Sequence, residues 1–119
     1  MNILPNDTIA AIATPSGEGA ISIIRISGEE SFSVVDAIFK GKTKISFAAN
    51  HTIHYGKILD SKKNVIDDVL VSVFRSPNSY TGEDSVEIST HGNSLIIKKI
   101  LELLLSKNVR GAEPGEFTK

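Results

Sequence analysis

Apolar residues recur with two different periods along this chain, and the order of those periods limits the folds open to it. Five stretches are rich in β-branched residues or alternate apolar with polar positions, as strands do. The predicted strands are 8–14, 20–27, 51–59, 65–74 and 85–89. The third and fourth flank the polar turn "DSKKN", which indicates an antiparallel hairpin.

Two further stretches repeat apolar residues every three or four positions, the period of an amphipathic helix. In "GEESFSVVDAIFKG" this spacing runs from Phe32 to Phe39, with Gly28 and Gly41 as limits. The second predicted helix is "NSLIIKKILELLLSKN" at 93–108, with Asn93 or Ser94 as its cap.

The resulting order, β β α β β β α, predicts an α+β fold in which helices pack on a mostly antiparallel or mixed sheet. A chain of 119 residues fits one domain, 1–119, and 40% hydrophobic with 23% charged residues is typical of a globular core. The final stretch "RGAEPGEFTK" ends without a cap or polar tail, so we expect it to continue in a longer protein.

Charge and composition narrow the function classes. Thirteen basic and fourteen acidic residues give a net charge of −1, so direct binding of nucleic acid by this chain is disfavoured. With no cysteine, the chain has no disulfide, thiolate metal site or cysteine nucleophile. The N-terminus lacks the basic region and long apolar run of a signal or membrane helix, so we expect a cytoplasmic protein with no membrane partner.

Several motifs favour ordinary structure over chemistry. "PSGEGA" at 15–20 lacks the lysine and Ser/Thr of a nucleotide phosphate loop and leads into a β-rich run, so we interpret it as a turn. His51, His54 and His91 have no metal-ligand spacing, and no G-x-S-x-G nucleophile elbow occurs. We therefore predict neither a metal site nor a catalytic residue.

Two charged residues within predicted strands are the candidate site. Arg25 lies among isoleucines and Glu87 faces away from Val86 and Ile88, because side chains alternate along a strand. They could pair with each other or with another charged group. Alternatively, the rigid guanidinium fork and the two carboxylate oxygens could hold a flat, heteroatom-rich ligand such as a pterin or guanine ring. Pro77 to Gly82 would then shape one rim, and the role of Asp84 stays open.

Three blocks carry a resemblance to a known family. "DTIAAIATPSGEGAISIIRISG" at 7–28, "PNSYTGEDSVEISTHGN" at 77–93 and "RGAEPGEFTK" at 110–119 resemble the N-terminal domain of the tRNA-modification GTPases called MnmE or TrmE. The resemblance implies a fold similar to part of the glycine-cleavage aminomethyltransferase. It also implies a homodimer and a site for 5-formyl- or methylene-tetrahydrofolate.

In this family the one-carbon unit is used to modify the wobble uridine of tRNA together with a flavin-dependent partner of the MnmG (GidA) family. GTP, magnesium and potassium would belong to a GTPase domain absent from these residues, as is the helical domain. This domain alone is expected to have no catalytic activity.

The family's folate-contacting arginine and glutamate match Arg25 in "IIRISG" and Glu87 in "TGEDSVEIS". A further basic contact lies beyond "PGEF(T/S)", so Lys119 is not assigned to it. The alternative of a different class is a dimerisation module in which the two charged residues only pair with each other.

Overall fold

The computed structural model describes residues 8–13, 20–77, 82–107 and 109–112. These residues form one seven-stranded sheet and two helices. The strands are β1 Ile9–Ile12, β2 Ile21–Ser27, β3 Phe39–Gly41, β4 Thr52–Leu59, β5 Val65–Phe74, β6 Ser85–His91 and β7 Arg110–Gly111. The helices are α1 Ser31–Ile38 and α2 Ser94–Leu105, and a 3₁₀ turn covers Ile45–Phe47. The predicted α+β class is confirmed.

The sheet is mixed, with strand order β3-β4-β5-β6-β2-β1-β7. Neighbouring strands are antiparallel except β1 and β7, which are parallel. The predicted hairpin of β4 and β5 is confirmed, and its turn is closed by hydrogen bonds between Asp60 and Asn64. The turn predicted at 15–20 lies almost wholly outside the described residues.

The core lies between one face of the sheet and both helices. Strand residues on that face alternate with exposed or half-buried ones, as the period of two requires. The fully buried side chains of the sheet include Ile24, Ile26, Val71, Val86 and Ile88. Phe32, Val35 and Ile38 of α1 and Ile97, Ile100 and Leu104 of α2 complete the cluster. The other face of the sheet, which we call the open face, carries no described helix.

Helix α2 begins as the sequence predicts. The side-chain Oδ1 of Asn93 accepts hydrogen bonds from the backbone N–H groups of Leu95 and Ile96, at 2.9 and 3.2 Å. This capping satisfies two N–H groups that the first turn leaves without a helical partner.

The prediction for the first helix was wrong at its C-terminal end. Phe39 has the helical spacing, but the helix ends at Ile38 and Phe39 begins the edge strand β3. There Phe39 pairs with Ile58 and lies over Gly41 and Gly56, the two glycines that face each other across β3 and β4. Pairing with β4 therefore determines the extended conformation of this segment. The helical spacing of its apolar residues gives no sign of that pairing.

Candidate functional site

Arg25 on β2 and Glu87 on β6 lie directly opposite each other in the sheet. Both belong to the open face, since the flanking residues Ile24, Ile26 and Val86 are buried in the core. The structure thus brings together the two residues that the sequence singled out separately. The predicted orientation of Glu87, away from Val86 and Ile88, is confirmed.

The two side chains form a partly buried ion pair. Nε and Nη2 of Arg25 both donate to Oε2 of Glu87, at 2.8 and 2.6 Å. The side chains are 19% and 20% exposed. Within the described residues, Oε1 of Glu87 accepts no hydrogen bond, so this oxygen has acceptor capacity beyond the pair.

Small residues flank the pair on both sides. Ala11 of β1 is the register partner of Arg25, and Ser72 of β5 is the register partner of Glu87. Both neighbours are small side chains, and the ion pair itself is mostly covered.

A second polar feature lies further along β6. The buried carboxylate of Asp67, 8% exposed, accepts the backbone N–H of His91 at 2.9 Å and lies 2.7 Å from Nδ1 of its ring. The imidazole itself is 69% exposed. Along a strand, the four residues from Glu87 to His91 span about 13 Å. His91 therefore lies at the far end of the strand that carries Glu87.

A shallow cavity of about 260 Å³ adjoins this end of the open face. Ile21, Tyr55, Leu70 and His91 contribute to its walls. Nearby, Nζ of Lys57 donates to Asp68 at 2.6 Å. That hydrogen bond lowers the pKa of Asp68 and raises the pKa of Lys57, because each partner favours the charged form of the other.

The loop before β6 gives Asp84 a structural role that the sequence left open. Its Oδ1 accepts the backbone N–H of Ser76 at 2.9 Å, and its carbonyl oxygen accepts the N–H of Gly28 at 2.9 Å. Glu83 accepts a hydrogen bond from Ser27 at 3.2 Å. Most of the rim predicted from Pro77 to Gly82 lies outside the described residues, at 78–81.

The described residues contain no group of three or more His, Asp or Glu side chains that could hold a metal ion. Across the same residues, none of the helices is long and apolar enough to cross a membrane.

The fold and the paired charges define an α+β domain whose open sheet face carries a partly buried ion pair. Residues 8–119 match the family model described as GTP-binding protein TrmE N-terminus. The chain belongs to this TrmE (MnmE) family and corresponds to the N-terminal domain of its members.

Curated relatives agree with this assignment. The tRNA modification GTPase MnmE of Christiangramia forsetii is 52% identical over 115 residues, covering 95% of this chain and 24% of the relative. That of Bacillus cytotoxicus is 53% identical over 114 residues, covering 95% and 25%. That of Oceanobacillus iheyensis is 50% identical over 118 residues, covering 98% and 26%. The chain thus spans about a quarter of the length of the relatives it matches.

Proposed function

We propose that this chain is the single N-terminal domain, 1–119, of a tRNA modification GTPase and that it binds a one-carbon tetrahydrofolate at Arg25 and Glu87. The ligand would be 5-formyl- or methylene-tetrahydrofolate, used to modify the wobble uridine of tRNA. GTP, magnesium and potassium would act in a following GTPase domain. A second copy of the chain and a flavin-dependent protein of the MnmG (GidA) family are the proposed partners, and an aminomethyltransferase-like fold is part of the proposal.

One observation carries the folate assignment: both donors of Arg25 bind Oε2 of Glu87, and within the described residues Oε1 accepts no hydrogen bond. A pterin presents N–H groups along one edge, and Oε1 can accept one of them while Oε2 stays bound to Arg25. Arg25 fixes the position of the carboxylate, so that the site is preorganised before the ligand arrives.

The half-buried position of the Glu87 carboxylate also favours ligand binding. A carboxylate that is four-fifths covered makes stronger hydrogen bonds than one in open water, because the local dielectric constant is lower. Arg25 compensates the charge, so an uncharged pterin can bind without leaving the carboxylate uncompensated. The ligand's chemistry is the transfer of a one-carbon unit, and the residues described here hold and orient it.

Isothermal titration calorimetry of the full-length protein with 5-formyltetrahydrofolate tests the assignment. We expect Glu87→Gln to weaken binding by about tenfold or more, since a hydrogen bond to a charged group contributes about 1.5–3 kcal/mol. Arg25→Ala should weaken it to a similar degree, because the carboxylate loses its fixed orientation.

The exposed ion pair of Lys57 and Asp68 provides the matched control on the same face of the sheet. The double variant Lys57→Ala, Asp68→Asn removes a comparable pair and should leave the affinity for folate unchanged within about twofold. Unchanged affinity in both Arg25→Ala and Glu87→Gln would refute the folate site.

A dimerisation module is the second candidate, and the exposed apolar side chains of the open face favour it. Ile21, Ile53, Tyr55 and Leu70 are 63%, 66%, 62% and 47% exposed. Tyr55 and Leu70 are register partners, so their side chains are neighbours. Sedimentation with and without folate separates the two candidates, because pure dimerisation predicts no dependence on the ligand.

A further inference from the structure

The net charge of −1 conceals a strongly basic segment. Residues 40–63 contain six of the 13 basic residues of the chain, all lysines, and a single acidic residue, Asp60. Six positive charges against one negative charge give this segment a net charge of +5 with its histidines neutral. The segment includes part of the edge strand β3, the loop after it, β4 and most of the turn into β5.

The fold brings three of these lysines to one place. Lys40, Lys44 and Lys63 contribute to the walls of one cavity of about 340 Å³, together with Thr43 and Asp36. All three lysines are exposed. We call them the lysine cluster. They come from β3, the loop after it and the turn between β4 and β5, so only the folded chain brings them to the wall of one cavity.

The carboxylate in this cavity is engaged by backbone and hydroxyl donors. Oδ1 of Asp36 accepts the N–H of Ile45 at 2.6 Å, and Oδ2 accepts the N–H and hydroxyl of Ser46 at 3.1 and 2.6 Å. Within the described residues, no salt bridge involves any lysine of the cluster. Three ammonium groups against one carboxylate therefore leave the cavity walls with a net positive charge.

Edge protection is the simplest structural explanation of such lysines. A charged side chain on an edge strand discourages pairing with another chain. This accounts for Lys40, which lies on the edge strand β3. It does not account for Lys44 and Lys63, which lie outside β3 and line the same cavity. A concave, positively charged surface with a hydroxyl in its wall is suited to a phosphate group.

We propose that the lysine cluster binds the phosphodiester backbone of RNA. Among anionic macromolecules, RNA is favoured because the relatives are named as tRNA modification enzymes, so this inference rests on the proposed function. Lysines contact phosphate without reading bases, so the cluster would position an RNA and leave its sequence to other groups. The overall charge argues against nucleic-acid binding only when it is averaged over the whole surface.

Fluorescence anisotropy with unmodified tRNA and the full-length protein, measured from 50 to 200 mM salt, tests this proposal. Each phosphate contact contributes about −0.7 to −0.9 to the slope of log K against log salt. The triple variant Lys40→Gln, Lys44→Gln, Lys63→Gln should therefore reduce the slope by about 2 to 3 and weaken binding by about tenfold or more at 100 mM salt.

A charge-matched control comes from the exposed lysines in and after α2. The triple variant Lys98→Gln, Lys99→Gln, Lys107→Gln removes the same charge from a different surface. It should leave affinity and slope close to those of the unsubstituted protein. Equal losses in the two triple variants would mean that only total charge matters and would overturn the proposal. An unchanged salt slope in the cluster variant would do the same.

Two further measurements make the result specific. Bound tRNA should protect Lys40, Lys44 and Lys63 from acetylation, and full reactivity of all three in the complex contradicts the proposal even if the triple variant misfolds.

A membrane is the alternative anionic partner. If the cluster variant loses binding to phosphatidylserine vesicles and keeps its binding to tRNA, the cluster binds a membrane and the proposal is overturned. Calorimetry with 5-formyltetrahydrofolate should give the same affinity in the cluster variant. Absence of folate binding in the unsubstituted protein would refute the folate site and leave the RNA result standing.

Discussion

A single arginine connects the loop after β3 to the end of β5. Nε of Arg75 donates to the carbonyl oxygen of Ala48 at 2.9 Å, and Nη2 donates to the carbonyl oxygens of Ala48 and Ser46 at 2.6 and 2.8 Å. Its guanidinium carbon lies 4.6 Å from the ring centroid of Phe32. The sequence gives no periodic signal for this role, because its partners are carbonyl groups that any residue could supply.

Arg75→Ala should lower the free energy of unfolding by about 2 kcal/mol, since it removes charged hydrogen bonds and a cation–π contact. Arg75→Lys should recover less than half of that loss, because an ammonium group cannot reproduce the planar fork. Urea denaturation measures both values. Lys98→Ala, on the exposed side of α2, is the control and should change stability by less than about 0.5 kcal/mol. A similar small change for Arg75→Ala would contradict the assigned role.

Asp60 makes the stability of the domain depend on pH. The N–H of Asn64, and then that of Lys62, donate to its side chain and lower the pKa of this carboxyl group. A lowered pKa in the folded state supplies stability that is present above the ordinary carboxyl value of about 4 and is lost as pH falls through the lowered pKa.

Asp60→Asn keeps an acceptor oxygen for the turn but cannot titrate. We therefore expect the variant to lose less stability than the unsubstituted protein as the pH falls below about 4. Denaturation at a series of pH values measures the difference, with Glu102→Gln as a control of equal charge. Parallel pH curves for Asp60→Asn and the unsubstituted protein would exclude this contribution.

At the scale of elements, the pairing of β3 with β4 depends on two glycines and one aromatic ring. A Cβ at Gly56 would lie 2.5 Å from the ring of Phe39 and 2.5 Å from the carbonyl oxygen of Lys40. Because the carbonyl belongs to the backbone of β3, it cannot move aside without disturbing the edge strand. Gly56→Ala should therefore destabilise the domain by about 1–3 kcal/mol, as overpacking does.

Thermal unfolding followed by circular dichroism measures this effect. Gly111→Ala is the matched control, since a Cβ there would have nothing within 4 Å. It should leave the midpoint nearly unchanged. If Gly56→Ala also unfolds at the original temperature, the ring of Phe39 does not hold β3 in place as the structure indicates.

The long strands and helices were predictable because burying one face gives each of them a regular repeat of apolar residues. The five predicted strands and the second helix agree with the structure where it describes them, with ends shifted by a few residues. The short edge strands β3 and β7 were not predicted, since three and two residues are too few to show a period. Their existence depends on the partners β4 and β1, which only the folded chain places beside them.

The candidate site was predictable in part for the same reason. Alternation along the strand placed Glu87 on the face away from Val86 and Ile88, Arg25 stood out as a charge among isoleucines, and the resemblance marked both residues. Their direct pairing depends on the antiparallel register of β2 and β6, which no local pattern specifies. Asp67 was missed because a carboxylate on the core face of a strand gives no sign of its partner, His91. The lysine cluster was missed because the net charge of the whole chain, −1, hides the positive charge of residues 40–63.

At the scale of the whole molecule, the proposed homodimer would form through the open face, which carries exposed apolar side chains. Leu70→Glu places a charge among exposed apolar side chains and should shift the protein from dimer to monomer in sedimentation velocity runs, because burying an unpaired charge is costly. Leu95→Glu is the control, since Leu95 is 58% exposed on α2, on the other side of the sheet. A dimer that survives Leu70→Glu and dissociates with Leu95→Glu would place the interface on the helical side.

The parallel pairing of β7 with β1 sets an order of events during synthesis. The N–H of Arg110 donates to the carbonyl of Thr8 at 2.9 Å, and that of Ala112 to the carbonyl of Ala10 at 3.0 Å. These partners are about a hundred residues apart in sequence. The ribosome must therefore synthesise nearly the whole domain before β7 can form its hydrogen bonds with β1. Until then this side of β1 is an unpaired strand edge, open to pairing with other chains.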